Sequence, residues 1–287
     1  MILGIHGSVL RGFGAALKEA ADLGCQALQM LPYRRHHEPE AAEIDSFREA
    51  RESGGVMRLL IHSRFVPSLA SSDQSRRRSS VEKLARELAL SGRLGGEAYV
   101  LHAGAYSPEG DSGRGLRLAA ESIREAWERA AVPIPIYLEN VPGGGRRLGG
   151  RLEELETLLG LLGRVPSAVC LDTAHAWAAG YDLGSAEGMY RFLSRAHRLL
   201  GADRVKAFHL NDTRALLGSR REQHSHWGEG FIASEALKAL LERPEYREAV
   251  GIIETPKGEG RDGENLEFVR QAAVYIPTER SSRTRTH

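Results

Sequence analysis

The chain has 287 residues, of which 41% are hydrophobic and 27% charged, as in folded globular proteins and unlike disordered or fibrous ones. Basic and acidic residues number 39 and 38, so the net charge of +1 indicates no strong overall attraction for nucleic acids. The apolar runs are too short to span a bilayer, and the N-terminus lacks the features of a signal peptide. Cys25 and Cys170 lie far apart in apolar contexts and suggest no disulfide framework. We therefore expect a cytoplasmic protein.

Eight short β-rich runs alternate with helical stretches along the chain. The strands are predicted at residues 2–6, 27–31, 58–63, 98–103, 135–140, 168–173, 205–211 and 251–255. Apolar residues recur at helical spacing between them, most clearly at 81–88 and 232–241, and a last helix is predicted near 264–273.

This alternation predicts an α/β fold of the (β/α)8 TIM-barrel type. Parallel strands with helical crossovers close most simply into a barrel. A doubly wound open sheet is disfavoured, because no glycine-rich phosphate-binding turn follows the first strand. We expect one barrel domain over residues 1–277, followed at 278–287 by a polar tail without ordered structure.

Residues that can bind a metal stand at the carboxyl end of nearly every predicted strand. In chain order they are His6, His62, His102, Glu139, Asp172 with His175, His209 and Glu254. A barrel brings these strand ends to one rim, where such folds carry their active sites. Burying several carboxylates and imidazoles together is costly unless cations compensate them. The pattern predicts a metal site at the carboxyl-terminal rim, with zinc, manganese or iron as candidates.

A glycine-bounded loop after the seventh strand adds further candidate ligands. Residues 218–230 contain Glu222 and His224 two positions apart, with His226 two positions beyond. One or two metals do not need so many ligands, so this loop points to a third ion.

Two runs, 171–182 and 208–212, resemble the endonuclease IV family of zinc-dependent apurinic/apyrimidinic endonucleases. The order of the segments around His102, Glu139, Gly228–Gly230 and Glu254 is similar to that family as well. The resemblance extends over nearly the whole chain. It implies a (β/α)8 barrel, three divalent metals (usually zinc, with Mn²⁺ possible at one or more sites) and cleavage of DNA 5′ of an abasic site.

The resemblance implies three groups of metal ligands. The first is His62, His102 and Glu139; the second shares Glu139 as a bridge and adds Asp172, His209 and Glu254; the third is His175, His224 and the acid two residues before His224. The family usually has Asp at that last position, and this chain has Glu222. Glu222 and His226 therefore both stay open as the ligand that completes the third site.

The resemblance also implies the chemistry and the contacts with DNA. A hydroxide bridging two metals would attack the phosphorus, while the third metal stabilises the leaving 3′ oxygen. The products would be a 3′-hydroxyl and a 5′-deoxyribose phosphate, with Glu139 and Glu254 as the catalytic residues. We expect Arg34 and Arg35 to grip phosphates and Phe65 to stack at the extruded abasic nucleotide. The expected partner is double-stranded DNA containing abasic sites, bound by a monomer that acts at the nucleoid and not at a membrane.

Two other functions stay open. A metal-dependent sugar isomerase or epimerase of the xylose-isomerase-like superfamily shares the barrel and a one- or two-metal rim, but it does not need a third site. A binding module that retains metals without turnover would be metal-loaded and inert. The fold alone does not choose among these functions.

Overall fold

The computed structural model describes residues 1–35, 37–130 and 134–274. Its strands are β1 (Ile2–His6), β2 (Ala27–Met30), β3 (Arg58–His62), β4 (Ala98–Leu101), β5 (Ile136–Glu139), β6 (Ser167–Asp172), β7 (Val205–His209), β8 (Asp212–Thr213), β9 (His224–Ser225) and β10 (Val250–Ile253). Its α-helices are α1 (Phe13–Asp22), α2 (Ala41–Ser53), α3 (Gln74–Arg93), α4 (Ser112–Ala130), α5 (Leu152–Leu162), α6 (Thr173–Ala179), α7 (Ala186–Leu200), α8 (Ser234–Leu241) and α9 (Arg261–Val274).

The sheet is a closed barrel in the order β1-β10-β7-β6-β5-β4-β3-β2, and every neighbouring pair in it is parallel. The predicted (β/α)8 fold is therefore confirmed. No helix among the described residues is both long enough and apolar enough to cross a membrane. The predicted polar tail at 278–287 lies outside the described residues.

The structure departs from the predicted elements mainly at the carboxyl ends of the strands. Most predicted strands run one or two residues too far, because the backbone there leaves the ladder and enters the loops of the rim. The short helix α6 and the antiparallel hairpin of β8 and β9 were not predicted. Both additions follow barrel strands directly, so they lie on the rim where the metal site is expected.

Strand alternation divides the core into two clusters. The first, inside the barrel, consists of Ala27, Leu60, Ala98, Val100, Tyr137, Ala168, Cys170, Ala207, Val250 and Ile252. The second lies between the sheet and the helices and includes Leu28, Ile61, Leu138 and Phe208. Because side chains on a strand alternate between its two faces, the residue two positions after an inward-facing one faces inward again. At the carboxyl end of the barrel those inward positions are polar.

Candidate metal centre

The inward-facing positions at the rim carry imidazoles and carboxylates. His62, His102 and Glu139 stand two positions after the buried interior residues Leu60, Val100 and Tyr137. Asp172, His209 and Glu254 stand in the same relation to Cys170, Ala207 and Ile252. A cavity of about 320 Å³ opens above them and is lined by His6, His62, His102, Glu139, His175, Glu222, His224, Glu254, Thr255 and Lys257.

The first group of side chains meets at one carboxylate oxygen. Oε2 of Glu139 lies 3.0 Å from Nε2 of His62 and 2.8 Å from Nε2 of His102. Nδ1 of His62 lies 2.8 Å from the carbonyl oxygen of Ser63, which can only accept, so Nδ1 carries the hydrogen. In the neutral ring, Nε2 of His62 therefore turns a lone pair toward a carboxylate. Two acceptors in this arrangement repel each other unless a metal ion lies between them or the ring takes up a second proton, and Glu139 does raise the pKa of His62.

The second group is centred on the fully buried ring of His209. Its Nδ1 lies 3.0 Å from Oε1 of Glu139, 3.0 Å from Oε2 of Glu254 and 3.8 Å from Oδ2 of Asp172. Its Nε2 lies 3.0 Å from the amide oxygen of Gln29. Glu139 thus turns one oxygen to each group, as a bridging ligand would.

The third group contains Asp172, His175 and His224, whose candidate ligand atoms lie within 4.8 Å of one another. Nδ1 of His175 donates to the carbonyl oxygen of Asn140 at 2.9 Å, and Nδ1 of His224 donates to that of Glu254 at 3.2 Å. Nε2 of each ring is buried and has no hydrogen-bond partner in the described part of the chain. In the neutral form of each ring, Nε2 therefore holds a lone pair that a metal can use.

Glu222 and His226, the two candidates for the last ligand of the third site, make different contacts. Oε1 of Glu222 lies 3.9 Å from Nε2 of His175, although the Glu222 side chain is 54% exposed. His226 instead contacts the side chain of Asn265, with 3.0 Å between its Nδ1 and the amide nitrogen. Neither Glu222 nor His226 belongs to the tightest groups of possible metal ligands among the described residues, but Glu222 also lines the metal cavity. The geometry therefore favours Glu222 over His226.

The buried carboxyl groups and imidazoles of the site shift each other's pKa values, so that the carboxylates stay ionised. Burial by itself would raise the pKa of Glu139, but His102 and His209 hold that pKa well below its ordinary value. His209 and His6 likewise outweigh burial and hold the pKa of Glu254 well below its ordinary value. Burial would lower the pKa of His175, yet Asp172 and Glu139 raise that pKa well above its ordinary value.

This donor set fits divalent metals. In several of the histidines, one ring nitrogen is held by a neutral oxygen while the other faces carboxylates or lacks any partner, which is how metal-binding histidines are oriented. The mixture of imidazole and carboxylate without thiolate suits zinc and manganese. The buried Nε2 atoms of His175 and His224, which have no hydrogen-bond partner among the described residues, are the clearest sign of the fit.

Side-chain amides that were absent from the predicted site support it. The side chain of Asn211 donates to Oδ2 of Asp172 at 2.7 Å and accepts from the backbone nitrogen of Glu254 at 2.8 Å. Gln29 occupies an inward position on β2 and contacts both His209 and Glu254. The only sequence signal for Gln29 was a polar residue inside an otherwise apolar strand.

The residues expected to touch DNA lie on neighbouring loops of the same rim but do not line the metal cavity. Arg34 and Arg35 follow β2, and Arg34 is paired with Glu43 at 2.7 Å. Arg35 is exposed and has a positive φ of 35°. Phe65 follows β3 and is 53% exposed, with the guanidinium of Arg64 5.7 Å from its ring centroid.

Known proteins match this chain over almost its full length. The family described as "Xylose isomerase-like TIM barrel" matches residues 17–272. "Endonuclease 4" of Thermus thermophilus is 37% identical over 93% of this chain and 96% of its own length. "Probable endonuclease 4" of Solibacter usitatus is 34% identical over 95% of this chain and 97% of its own length.

Solved structures agree with these matches. The crystal structure of endonuclease IV from Thermus thermophilus has a TM-score of 0.82 and 33% identity, covering 95% of this chain and 98% of that one. A D-tagatose 3-epimerase-like protein has a TM-score of 0.72 at 21% identity, covering 94% of this chain and 99% of that one, which shows a shared fold alone. With relatives above 30% identity over nearly its whole length, this chain belongs to the endonuclease IV family of xylose isomerase-like TIM barrels.

Proposed function

We propose that this protein hydrolyses the DNA backbone 5′ of abasic sites, leaving a 3′-hydroxyl and a 5′-deoxyribose phosphate. Membership of the endonuclease IV family makes it a metal-dependent phosphodiester hydrolase of DNA repair. The observation that carries the proposal is the pair of unused buried Nε2 atoms on His175 and His224. These atoms, together with Glu222, would form a third ion site that a sugar epimerase with one or two metals does not require.

The three ligand groups would hold three divalent metals, most readily zinc, with Mn²⁺ acceptable at one or more of them. The first two groups are His62, His102 and Glu139, and Glu139, Asp172, His209 and Glu254. The third would be His175 and His224, which lie near Asp172, together with Glu222, which lies 3.9 Å from His175. When bound, these ions would supply a water of lowered pKa and positive charge to stabilise the phosphate as its bond breaks.

Glu139 and Glu254 are the proposed catalytic residues. Glu139 is 1% exposed and turns Oε2 to His62 and His102 and Oε1 to His209, so it can hold two neighbouring groups in fixed relation. Glu254 lines the cavity and stays ionised, because its pKa is held low. An ionised carboxylate at this position can orient the attacking water. Because a metal-activated water is the proposed nucleophile, no nucleophile from the protein is needed.

The substrate we propose is a DNA duplex that lies across the rim. Arg34 and Arg35 would grip its phosphates, and the exposed ring of Phe65 would stack at the extruded abasic nucleotide. We propose that the protein acts as a monomer, because the rim must stay open to the duplex, and that it works at the nucleoid.

A nicking assay tests this function. The purified protein is incubated with a duplex that carries one tetrahydrofuran abasic analogue, before and after a chelator removes metals. We expect a metal-dependent nick immediately 5′ of the analogue, and the cut must be hydrolytic because this analogue cannot undergo β-elimination. Absence of a nick from a protein that holds several zinc or manganese ions would contradict the proposal. Turnover of ketoses in parallel reactions would then identify an epimerase, and an inert loaded protein would indicate a binding module.

A further inference from the structure

Gln29 lies beneath the metal centre at the inward position of β2 and is fully buried. Its amide oxygen is 3.0 Å from Nε2 of His209, and its amide nitrogen is 2.6 Å from Oε1 of Glu254. The same nitrogen lies 3.0 Å from Nδ1 of His6. Gln29 is in none of the three ligand groups, yet it contacts two members of the second group.

The orientation of the Gln29 amide is determined by its neighbours. An ionised carboxylate has no hydrogen to donate, so the group that faces Glu254 at 2.6 Å must be the amide NH₂. The reverse orientation would press two oxygens together at that distance. The amide oxygen of Gln29 is therefore the atom that faces His209.

This orientation in turn determines the tautomer of His209. An amide oxygen can only accept, so Nε2 of His209 must carry a hydrogen and donate it to Gln29. In the neutral ring the lone pair is then on Nδ1, which lies 3.0 Å from an oxygen of Glu139 and 3.0 Å from an oxygen of Glu254. Nδ1 of His209 is the atom that a metal in the second group would use.

His209 differs in this respect from three other histidines of the site. His62, His175 and His224 are oriented by the backbone carbonyl oxygens of Ser63, Asn140 and Glu254. A side-chain substitution cannot remove a backbone carbonyl oxygen. The orientation of His209 depends on a side chain and can therefore be tested by mutation.

We propose that Gln29 is a positioning residue that connects the charge of Glu254 to the tautomer of His209. Its NH₂ group holds Oε1 of Glu254, which leaves Oε2 facing His209, and its oxygen holds Nε2–H of His209. The second ligand group is thereby oriented before any metal binds. This inference rests on the proposed function, since it assigns Gln29 to the same metal centre.

The main test replaces Gln29 with methionine, which has similar length and no hydrogen-bonding amide. The matched control is Gln26→Met, the same substitution at an exposed position just before the same strand. Zinc per chain and zinc affinity are measured by competition with a chelator. We expect Gln29→Met to bind one zinc ion about 10- to 100-fold more weakly, the usual effect of losing a group that orients a ligand. Gln26→Met should match the wild type.

Nitrogen NMR of histidine-labelled protein reads the tautomer directly. In the zinc-loaded wild type, His209 should show hydrogen on Nε2 and none on Nδ1. Gln29→Met should weaken that signal, and Gln26→Met should retain it. Hydrogen on Nδ1 of His209 in the wild type would overturn the inference, even if Gln29→Met fails to fold.

These experiments distinguish failure of the proposed function from failure of the proposed role of Gln29. A wild type that binds no zinc and makes no nick would overturn the proposed function itself. A wild type that binds zinc and nicks abasic DNA, with Gln29→Met equal to it in zinc affinity within twofold, would overturn only the role of Gln29.

Discussion

Nε2 of the buried His175 lies 3.9 Å from Oε1 of Glu222, whose side chain reaches the site from an exposed loop. This distance is too long for a hydrogen bond. Two ligands of one tetrahedral zinc ion, each about 2.0–2.1 Å from the metal, lie roughly 3.3 Å apart. The observed spacing is close to this value, which supports the proposal that Glu222 shares an ion with His175.

Substitution of Glu222 tests the third site. We expect Glu222→Ala to lower the zinc content from three ions per chain to two and the nicking rate by about 10- to 100-fold. Glu121→Ala, at an exposed position on the outer helix α4, is the control and should change neither. Zinc is counted by elemental analysis after dialysis. Three ions in Glu222→Ala and two in His226→Ala would assign the site to His226 instead.

Metal binding should release protons, and it should weaken as the pH falls. The pKa of His175 is raised well above its ordinary value because Asp172 and Glu139 outweigh burial, so this ring holds its second proton to higher pH than a free imidazole does. A metal needs the neutral ring, so the proton must leave when the ion binds. Calorimetry at pH 7 in buffers of different ionisation enthalpy should give different heats, and the difference should shrink at higher pH. Heats that do not depend on the buffer would contradict this assignment.

Much of the candidate metal centre could be predicted from sequence because its members stand at the carboxyl ends of parallel strands. His62, His102, Glu139 and His209 each end a buried apolar run, and a closed barrel must bring such ends together. Gln29 was missed because a single amide in an apolar strand shows neither partner nor orientation in the sequence.

Other parts of the rim could not be predicted for a different reason. The hairpin of β8 and β9 has two residues on each strand, which is too short for a visible hydrophobic period. The sequence placed Glu222, His224 and His226 in one loop but did not show which of them face the metal cavity. Only the three-dimensional contacts show that His226 is engaged with Asn265.

Glu87 on α3 should stabilise the two loops that are proposed to contact DNA. Its buried carboxylate accepts hydrogen bonds from the hydroxyls of Tyr99 at 2.5 Å and Tyr33 at 2.7 Å and from the backbone nitrogen of Arg64 at 3.1 Å. Glu87→Ala would leave these donors without their acceptor, and we expect the free energy of unfolding to fall by about 3 kcal/mol.

Urea denaturation measures this effect. Glu82→Ala, at an exposed position on the same helix, is the control and should change the free energy of unfolding by less than about 0.5 kcal/mol. If Glu87→Ala is as stable as Glu82→Ala, the carboxylate does not hold the loops together.

Arg35 should contribute to DNA affinity through phosphate contact. It is exposed, whereas Arg34 must first leave Glu43 to reach a phosphate. We expect Arg35→Ala to weaken binding to the abasic duplex and to reduce the slope of log affinity against log salt by about one. Fluorescence anisotropy in the presence of a chelator measures binding without nicking. The control is Arg129→Ala, near the carboxyl end of α4 and away from the rim, which should leave the slope unchanged. An unchanged slope in Arg35→Ala would contradict the phosphate contact.

A zinc add-back titration tests the central claim most directly. Metal-free protein receives increasing equivalents of zinc, and the rate of nicking 5′ of the tetrahydrofuran analogue is measured in a single turnover. The account predicts little nicking below two equivalents and a plateau at three, with a 3′-hydroxyl at the cut. A plateau at one equivalent, or nicking that does not depend on zinc, would contradict a three-metal hydrolytic centre on this rim.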